Sequence, residues 1–496
     1  MQLIVAEKPA VARDLARVLG LPARGEHALT GDQRTITWCV GHLVELAPPE
    51  AYEPRWKAWR LDTLPMVPGE FRLRPVEATR AHFDAVCKLL RDRRFTEVVN
   101  ACDAGREGEL IFRYLYQAAA ARLPVRRLWI SSLTDEAIRR GLGALKPGSA
   151  CDALADAARC RSEADWLVGL NATRALTLRG RQGGGDSPLF SVGRVQTPTL
   201  AMLVEREQAI ARFQPSDYHE VQGQLTTAAG GRLVARFRYE GRSRLAEAAA
   251  AEAIVRRCAQ RGGAGHPEGP VVETLERRTV REAPPLLFDL TSLQRTANRR
   301  FGLSAARTLT VAQALYEKHK LLTYPRTDSR HLPSDLVATL PGLFRSLGEH
   351  PDYQRFAEAL LADPPRPSRR LVDDGKVRDH HAIIPTGRLP PGGALDRDAA
   401  RLFDLVTRRF LGAFFPDAEF AGTRVVVRVG GEGVAPPPLP PEPPTAGDEE
   451  APDQPLLLGT PPPPDRFFAR GRIRLAAGWQ EVAGFGDDER LDKDLY

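Results

Sequence analysis

The stretch EVVNACDAGREGELIFRYLYQAAAA, residues 97–121, opens as a short apolar strand, turns through an acidic cluster, and continues as a helix. An apolar run with no polar alternation fits a strand buried on both faces, as in a parallel sheet. The same order appears at the start of the chain: LIVA at 3–6 leads through Glu7 and Lys8 into an amphipathic run from Pro9 to Leu19. ITWCVGHLVEL at 36–46 reads as a further strand, and a helix is expected around 79–92. Strands alternating with helices predict an α/β domain whose largely parallel sheet carries its chemistry at the strand C-termini. Glu7 and Asp103 both stand at such ends.

Beyond this first unit the pattern changes. Residues 151–212 read as helical, broken by RGRQGGGDSP at 179–188, where glycine and proline make a loop. YHEVQGQL, RLVARFRY and VVETLERRTV, between 216 and 281, alternate as strands do. Helices return over 285–360, interrupted at LLTYPRTDSRHLP, and a helix near 397–414 precedes the strand TRVVVRVG at 423–430. Residues 431–465 hold 13 of the 41 prolines and cannot pack a core, so they read as a solvated loop between two strands. RFFARGRIRLAAGWQEV then resumes a strand pattern. The expected division is 1–150 α/β, 151–215 helical, 216–284 β-rich, 285–415 helical, and 416–490 completing the β-rich unit around the insertion 431–465.

Composition narrows the function classes. No window of about 18 apolar residues exists in the 496, which excludes a helical membrane span. The apolar start is too short for a secretory signal, so the expected location is the cytoplasm. Six cysteines with no CxxC pair argue for free thiols over a disulfide framework or a zinc ribbon. A net charge of +7, from 70 basic against 63 acidic residues, suits either a polyanionic partner or an ordinary solvated surface.

Four constellations could carry chemistry. Glu7, Asp103 and Glu107 offer hard oxygen ligands for Mg²⁺, with Lys8 beside them, although acids at helix starts also serve as dipole partners. TYPRTDSRH at 323–331 sets Tyr324 next to Arg326, whose charge could favour the phenolate and bind a phosphate under attack. SVGRVQTPTLAMLVERE at 191–207 runs into a helix, so exposed backbone N–H groups at its start, with Ser191, Arg194, Gln196 and Thr197, form either a phosphate platform or a plain cap with a nearby proline. In RDHHAIIPT, His380 and His381 are adjacent and chelate poorly, which leaves His380 as a phosphate contact, a proton-transfer partner or a core-edge side chain.

Taken together and in order, VAEKPAVAR at 5–13, NACDAGREGELIFR at 100–113, RSEADWLVGLNATRALT at 161–177, SVGRVQTPTL, LLTYPRTDSRHLP and DHHAIIPT resemble the type IA DNA topoisomerases, in particular the bacterial topoisomerase III branch. The resemblance implies a multidomain architecture: an N-terminal Toprim α/β domain, helical domains and a β-rich arch joined in a toroid. It implies that Tyr324 attacks a DNA phosphodiester to leave a 5′-phosphotyrosyl link and a 3′-hydroxyl, without ATP. Glu7 would handle the 3′-oxygen proton, Lys8 and Arg326 would stabilise the phosphate, and His380 would contact the scissile region. Mg²⁺ would be held by Glu7, Asp103 and Glu107. DNA contacts would come from residues 191–196 and from Asn171 and Arg174, with Trp59 and Arg60 as weaker candidates. The implied partners are single-stranded or negatively supercoiled DNA and a helicase or single-strand binding protein. The implied enzyme is a monomer at the bacterial nucleoid.

Two departures from that family accompany the match. Its acidic triad reads Asp-x-Asp-x-Glu, and Gly105 stands at the middle position here, which predicts altered metal dependence. The sequence also ends at RLDKDLY where the family continues, which implies a fragment, a frameshifted product or a minimal form. The alternatives on sequence grounds are a catalytically weakened single-stranded DNA-binding relative and a Toprim nuclease.

Overall fold

The computed structural model describes residues 1–21, 25–130, 135–182, 188–227, 230–262, 266–365, 368–377, 380–431 and 456–483. Most of the proline-rich stretch, residues 183–187 of the loop 179–188, Asp379 and the final RLDKDLY lie outside these residues.

The N-terminal sheet is built from β1 (Gln2–Ala6), β2 (Ala28–Thr30) and β3 (Arg34–Trp38), then β6 (Glu97–Ala101), β7 (Val125–Arg127) and β8 (Lys146–Pro147), while β4 (Val44–Leu46) and β5 (Leu73–Pro75) pair separately. Its order is β2-β3-β1-β6-β7-β8, with β3, β1, β6 and β7 parallel. The register sets Ala6 beside both Trp38 and Ala101, so the ends of β3, β1 and β6 are level. The run expected as one strand over 36–46 is broken at Gly41, whose φ of 83° is open to glycine at no steric cost.

Helix α1 (Pro9–Leu19) starts with proline and ends at Gly20 in the left-handed region, the usual asymmetry of helix ends. It packs on one sheet face, while α2 (Arg80–Leu90) and α3 (Arg106–Ala118) cover the other. After α4 (Asp135–Gly143), the long α5 (Asp152–Gln182) crosses to the α/β unit, where Trp166 donates its indole N–H to Ala47 O at 3.0 Å. Helix α6 (Gln196–Ala211) follows, and every described residue along it is exposed.

Strands β9 (Gln222–Thr226), β10 (Arg232–Phe237), β11 (Val271–Glu282), β12 (Ala418–Val429) and β13 (Asp465–Ala476) form one antiparallel sheet, ordered β11-β12-β13-β10-β9. Segments as far apart as Arg236 and Phe468 thus pair in one sheet. Helix α7 (Ala248–Arg261), in a stretch read from sequence as β-rich, lays Ala250 and Ile254 against this sheet's core. The largest core belongs to α8 (Leu290–Phe301), α9 (Ala305–Glu317), α10 (Leu340–Leu347), α11 (Pro351–Ala362) and α12 (Arg397–Gly412). Asp289, Ser304 and Asp396 cap α8, α9 and α12 by accepting from backbone N–H groups.

Candidate active site

Glu7 is the first residue beyond β1, and the pleat and the α1 start leave the residue 7% exposed. Its Oε2 accepts the backbone N–H of Asp103 at 3.1 Å, tying the end of β1 to the end of β6. Lys8 Nζ lies 3.1 Å from Glu7 Oε1 and 3.2 Å from Asp103 Oδ2. A Cβ at Gly108 would stand 2.3 Å from the Asp103 carbonyl oxygen and 3.0 Å from Glu7 Oε2, so only glycine lets α3 start this close.

The other half of the site hangs from the α9–α10 connection. Thr323 N–H donates to Ile384 O and receives through its hydroxyl the Ile384 N–H, both at 2.9 Å; Thr327 Oγ1 donates to His380 O at 2.9 Å. This lacing sets the Tyr324 and His380 rings 4.3 Å apart. Lys8 Nζ sits 4.8 Å from the centre of the Tyr324 ring, and His380 Nε2 lies 3.4 Å from Asp103 Oδ2. Tyr316 on α9 packs edge-on against Tyr324 at 5.4 Å. Away from the tyrosine, Arg140 of α4 pairs with Asp335 at 3.4 Å across the same junction.

The electrostatics separate the two carboxyls. Burial, then the charge of Asp103, pushes Glu7 above the usual carboxylate range. Burial pushes Asp103 up as well, but the hydrogen bond from His380 and the Lys8 charge outweigh it and bring it to about 2. Lys8 loses solvation, yet Asp103 and Glu7 hold its ammonium above its ordinary value. Neighbouring carboxyls pushed apart in this way can divide proton-holding from charge-holding.

Several expected site residues are placed differently. Glu107 does not join Glu7 and Asp103: His42 Nε2 donates to its Oε1 at 2.6 Å, and that bond, against partial burial, lowers its pKa. Among the described residues no group of three metal-ligating side chains converges. The donor set fits Mg²⁺ as a two-carboxylate site, Glu7 and Asp103, since that ion keeps most of its waters. Arg326 donates to Gln313 Oε1 at 3.3 Å, and Lys8 is the cation over the tyrosine ring.

Asn171 and Arg174 do share a helix face, but that face is docked on protein. Asn171 exchanges hydrogen bonds with the Met66 backbone, and Arg174, 5% exposed, donates to Trp56 O and stacks on Trp59. Arg60 pairs with Asp62. Residues 191–196 are open by contrast: Ser191 Oγ donates to Gln196 Oε1 at 3.0 Å, Val192 N–H to Thr173 Oγ1 at 2.9 Å, and Gly193 N–H to Thr197 Oγ1 at 3.0 Å. Arg194 forks onto Asp165 at 2.8 Å, and Val195 is 69% exposed. Alongside runs a groove of about 450 Å³ lined by His42, Tyr114, Asp165, Trp166, Thr173 and Val192.

His42, Tyr316 and Asp165 went unread in the sequence. Each acts through a partner outside its own motif, and the one local signal was His42 directly after Gly41 at a strand end.

The sequence profile of the DNA topoisomerase family matches residues 149–435, and that of the Toprim domain matches residues 2–133. The chain belongs to the DNA topoisomerase family. DNA topoisomerase 3 of Bacillus cereus is 40% identical over 493 residues, 99% of this chain and 61% of that protein. The Shouchella clausii protein of the same name is 43% identical over 429 residues, 86% and 57% of the two chains. The chain therefore spans about three fifths of the length of the curated relatives it matches. Full-length topoisomerase I from Thermotoga maritima shares the fold, with a TM-score of 0.60 at 20% identity over 98% of this chain and 68% of that one. The chain is thus similar to proteins named DNA topoisomerase 3, the branch that its six motifs resemble.

Proposed function

We propose that this chain is an ATP-independent isomerase of DNA that cuts one strand through a 5′-phosphotyrosyl link to Tyr324, lets a strand pass and reseals the cut. The observation that carries the reading is the packing of Tyr324 against Lys8 and His380, directly over the Glu7–Asp103 pair.

In the forward step the Tyr324 oxygen bonds to phosphorus as the bond to the 3′-oxygen breaks. The phenolic proton passes to solvent water, and the 3′-oxygen must gain one. Glu7, held above the ordinary carboxyl range by burial, is suited to deliver that proton and to take it back on resealing. Asp103 stays anionic and keeps both Lys8 and His380 against the ring. Lys8 faces the position where phosphate charge builds, and Arg326, exposed at the rim, would close on the same phosphate. When bound at Glu7 and Asp103, Mg²⁺ would supply charge that aligns the two DNA ends. Because one phosphoester is exchanged for another, supercoiling or interlinking of the DNA can supply the drive.

The groove beside residues 191–196 would hold the single strand, its backbone against Ser191, Arg194 and Gln196. Asn171, Arg174 and Trp59 would act indirectly, by fixing α5 to the segment around Met66. On this reading the partners are single-stranded or negatively supercoiled DNA and a helicase or single-strand binding protein, met as a monomer in the bacterial cytoplasm. The five units marked out in the sequence would be its domains.

The test is incubation with end-labelled single-stranded DNA and Mg²⁺, stopped with denaturant, for the native chain and Tyr324→Phe. A denaturant-resistant adduct seen only with the native chain supports the reading. Binding without an adduct would favour the weakened DNA-binding relative, and cleavage without an adduct would favour a Toprim nuclease.

A further inference from the structure

Asp103 is held at three points, and one of them is a buried cation that plays no part in the proposed chemistry. Glu7 holds its N–H, and Lys8 and His380 face its carboxylate. Its carbonyl oxygen accepts from Arg127 Nη2 at 2.7 Å. Arg127, at the end of β7, is wholly buried. Its Nη1 donates to Asn100 O at 3.0 Å, Cys102 O at 2.7 Å and Leu128 O at 2.6 Å. Four carbonyls at the ends of β6 and β7 therefore point at one guanidinium.

The charge of Arg127 is matched by Glu109, one turn into α3 and 1% exposed. Arg127 Nε lies 3.0 Å from Glu109 Oε2, and Arg113 Nε donates to Glu109 Oε1 at 2.9 Å. Asn100 joins the cluster, donating from Nδ2 to Glu109 Oε2 at 2.9 Å while its Oδ1 accepts the Cys102 N–H at 3.1 Å. A buried ion pair is weak evidence for stability, since apolar residues of equal volume often do as well. What this one does, and an apolar side chain could not, is hold the carbonyls of Asn100, Cys102 and Asp103 in a fixed turn. The five-donor planar fork of arginine suits that task, and the single ammonium of lysine does not.

We propose that Arg127, balanced by Glu109, is a positioning residue for strand cleavage: it fixes the Cys102–Asp103 turn so that the Asp103 carboxylate faces Lys8 and His380 below Tyr324. This rests on the transesterification reading given above. Arg127 touches neither DNA nor tyrosine, so its loss acts on the rate of the bound complex and leaves DNA binding alone.

The test compares Arg127→Lys and Glu109→Gln with the native chain and with Arg257→Lys, which disturbs a buried ion pair in the antiparallel sheet. Thermal melting, affinity for a labelled single-stranded oligonucleotide, the adduct rate at saturating DNA, and amide hydrogen exchange over residues 99–105 are measured for each. Arg127→Lys is expected to melt cooperatively and bind within threefold of native, to form adduct at least tenfold more slowly, and to exchange at least tenfold faster at 102–103. Arg257→Lys is expected to lower the melting temperature without changing the adduct rate. A cooperatively folded Arg127→Lys with native adduct rate and native exchange overturns the proposal, as does an equal loss of rate in Arg257→Lys. If Arg127→Lys does not fold, Glu109→Gln decides by the same criteria. If the native chain forms no adduct, the functional reading fails by itself; native exchange at 102–103 in Arg127→Lys then overturns the positioning role, and faster exchange upholds it.

Discussion

The two sheets of this chain both bury charge, and they use it differently. In the parallel sheet Glu7, Asp103, Glu109 and Arg127 gather where β1, β6 and β7 end, and some of their polar surface is left facing outward. In the antiparallel sheet Asp465, wholly buried, is paired with Arg257 of α7, and Glu273 with Arg466 of the strand β13. Parallel strands end together without hairpins, so their last residues and loops stay free to meet a ligand. The long antiparallel strands β11, β12 and β13 pair along their lengths, and their charges satisfy one another across the ladder. Similar residue types thus build the proposed reaction site in one sheet and a stiff frame in the other.

The sharpest way to break that contrast is Tyr324→Phe. It keeps the ring contacts with His380 and Tyr316, so stability should change by less than about 0.5 kcal/mol, while adduct formation should fall by at least about a thousandfold. Parallel melting and adduct assays check it, and residual adduct in the variant would remove the tyrosine from the chemistry. The mirror experiment is Asp465→Ala. Stranding the Arg257 charge should lower stability by about 3–5 kcal/mol, read by urea unfolding, with the adduct rate per folded molecule preserved. A stable variant with lost chemistry would mean that the frame and the site are not separate.

A smaller effect belongs to His381. Burial pushes its imidazole down to about 4, whereas in the unfolded chain it takes a proton near 6.5. Below that pH the unfolded state binds more protons, so stability is full above about 6.5 and is lost as pH falls towards 4, by on the order of 3 kcal/mol at most. Urea midpoints at pH 7 and pH 5 should lie closer together in His381→Gln, and an unchanged gap would sink the assignment. Least of all, Arg194→Ala should leave the melting curve in place, weaken oligonucleotide binding a few fold, and reduce its salt dependence by about one charge. A variant with unaltered salt dependence would place the strand elsewhere.

The parts legible in the sequence were those written in short range. The apolar runs of β1 and β6, the acidic turns after them and the amphipathic α1 and α3 all declare themselves within a dozen residues. The approach of Tyr324 to Lys8 spans more than 300 residues and has no periodic signal; ordered motifs, not spacing, suggested it. Where local reading misled, a distant partner took the side chain: Trp56 for Arg174, His42 for Glu107, and the antiparallel sheet for the alanine-rich α7. Arg127 looked like one basic residue among seventy, because the four carbonyls around it come from two separate strands.

The lacing of residues 323–327 to 380–384 has one more implication. It binds Tyr324 and His380 into a single piece, while Glu7, Lys8 and Asp103 belong to the Toprim sheet. The two pieces meet through Lys8 on the tyrosine ring, His380 on Asp103 and Arg140 on Asp335. On the proposed reading, reactivity is conditional, in the manner of a two-key lock: part the pieces by a few ångströms and the tyrosine loses its cation at the same moment that Asp103 loses its histidine.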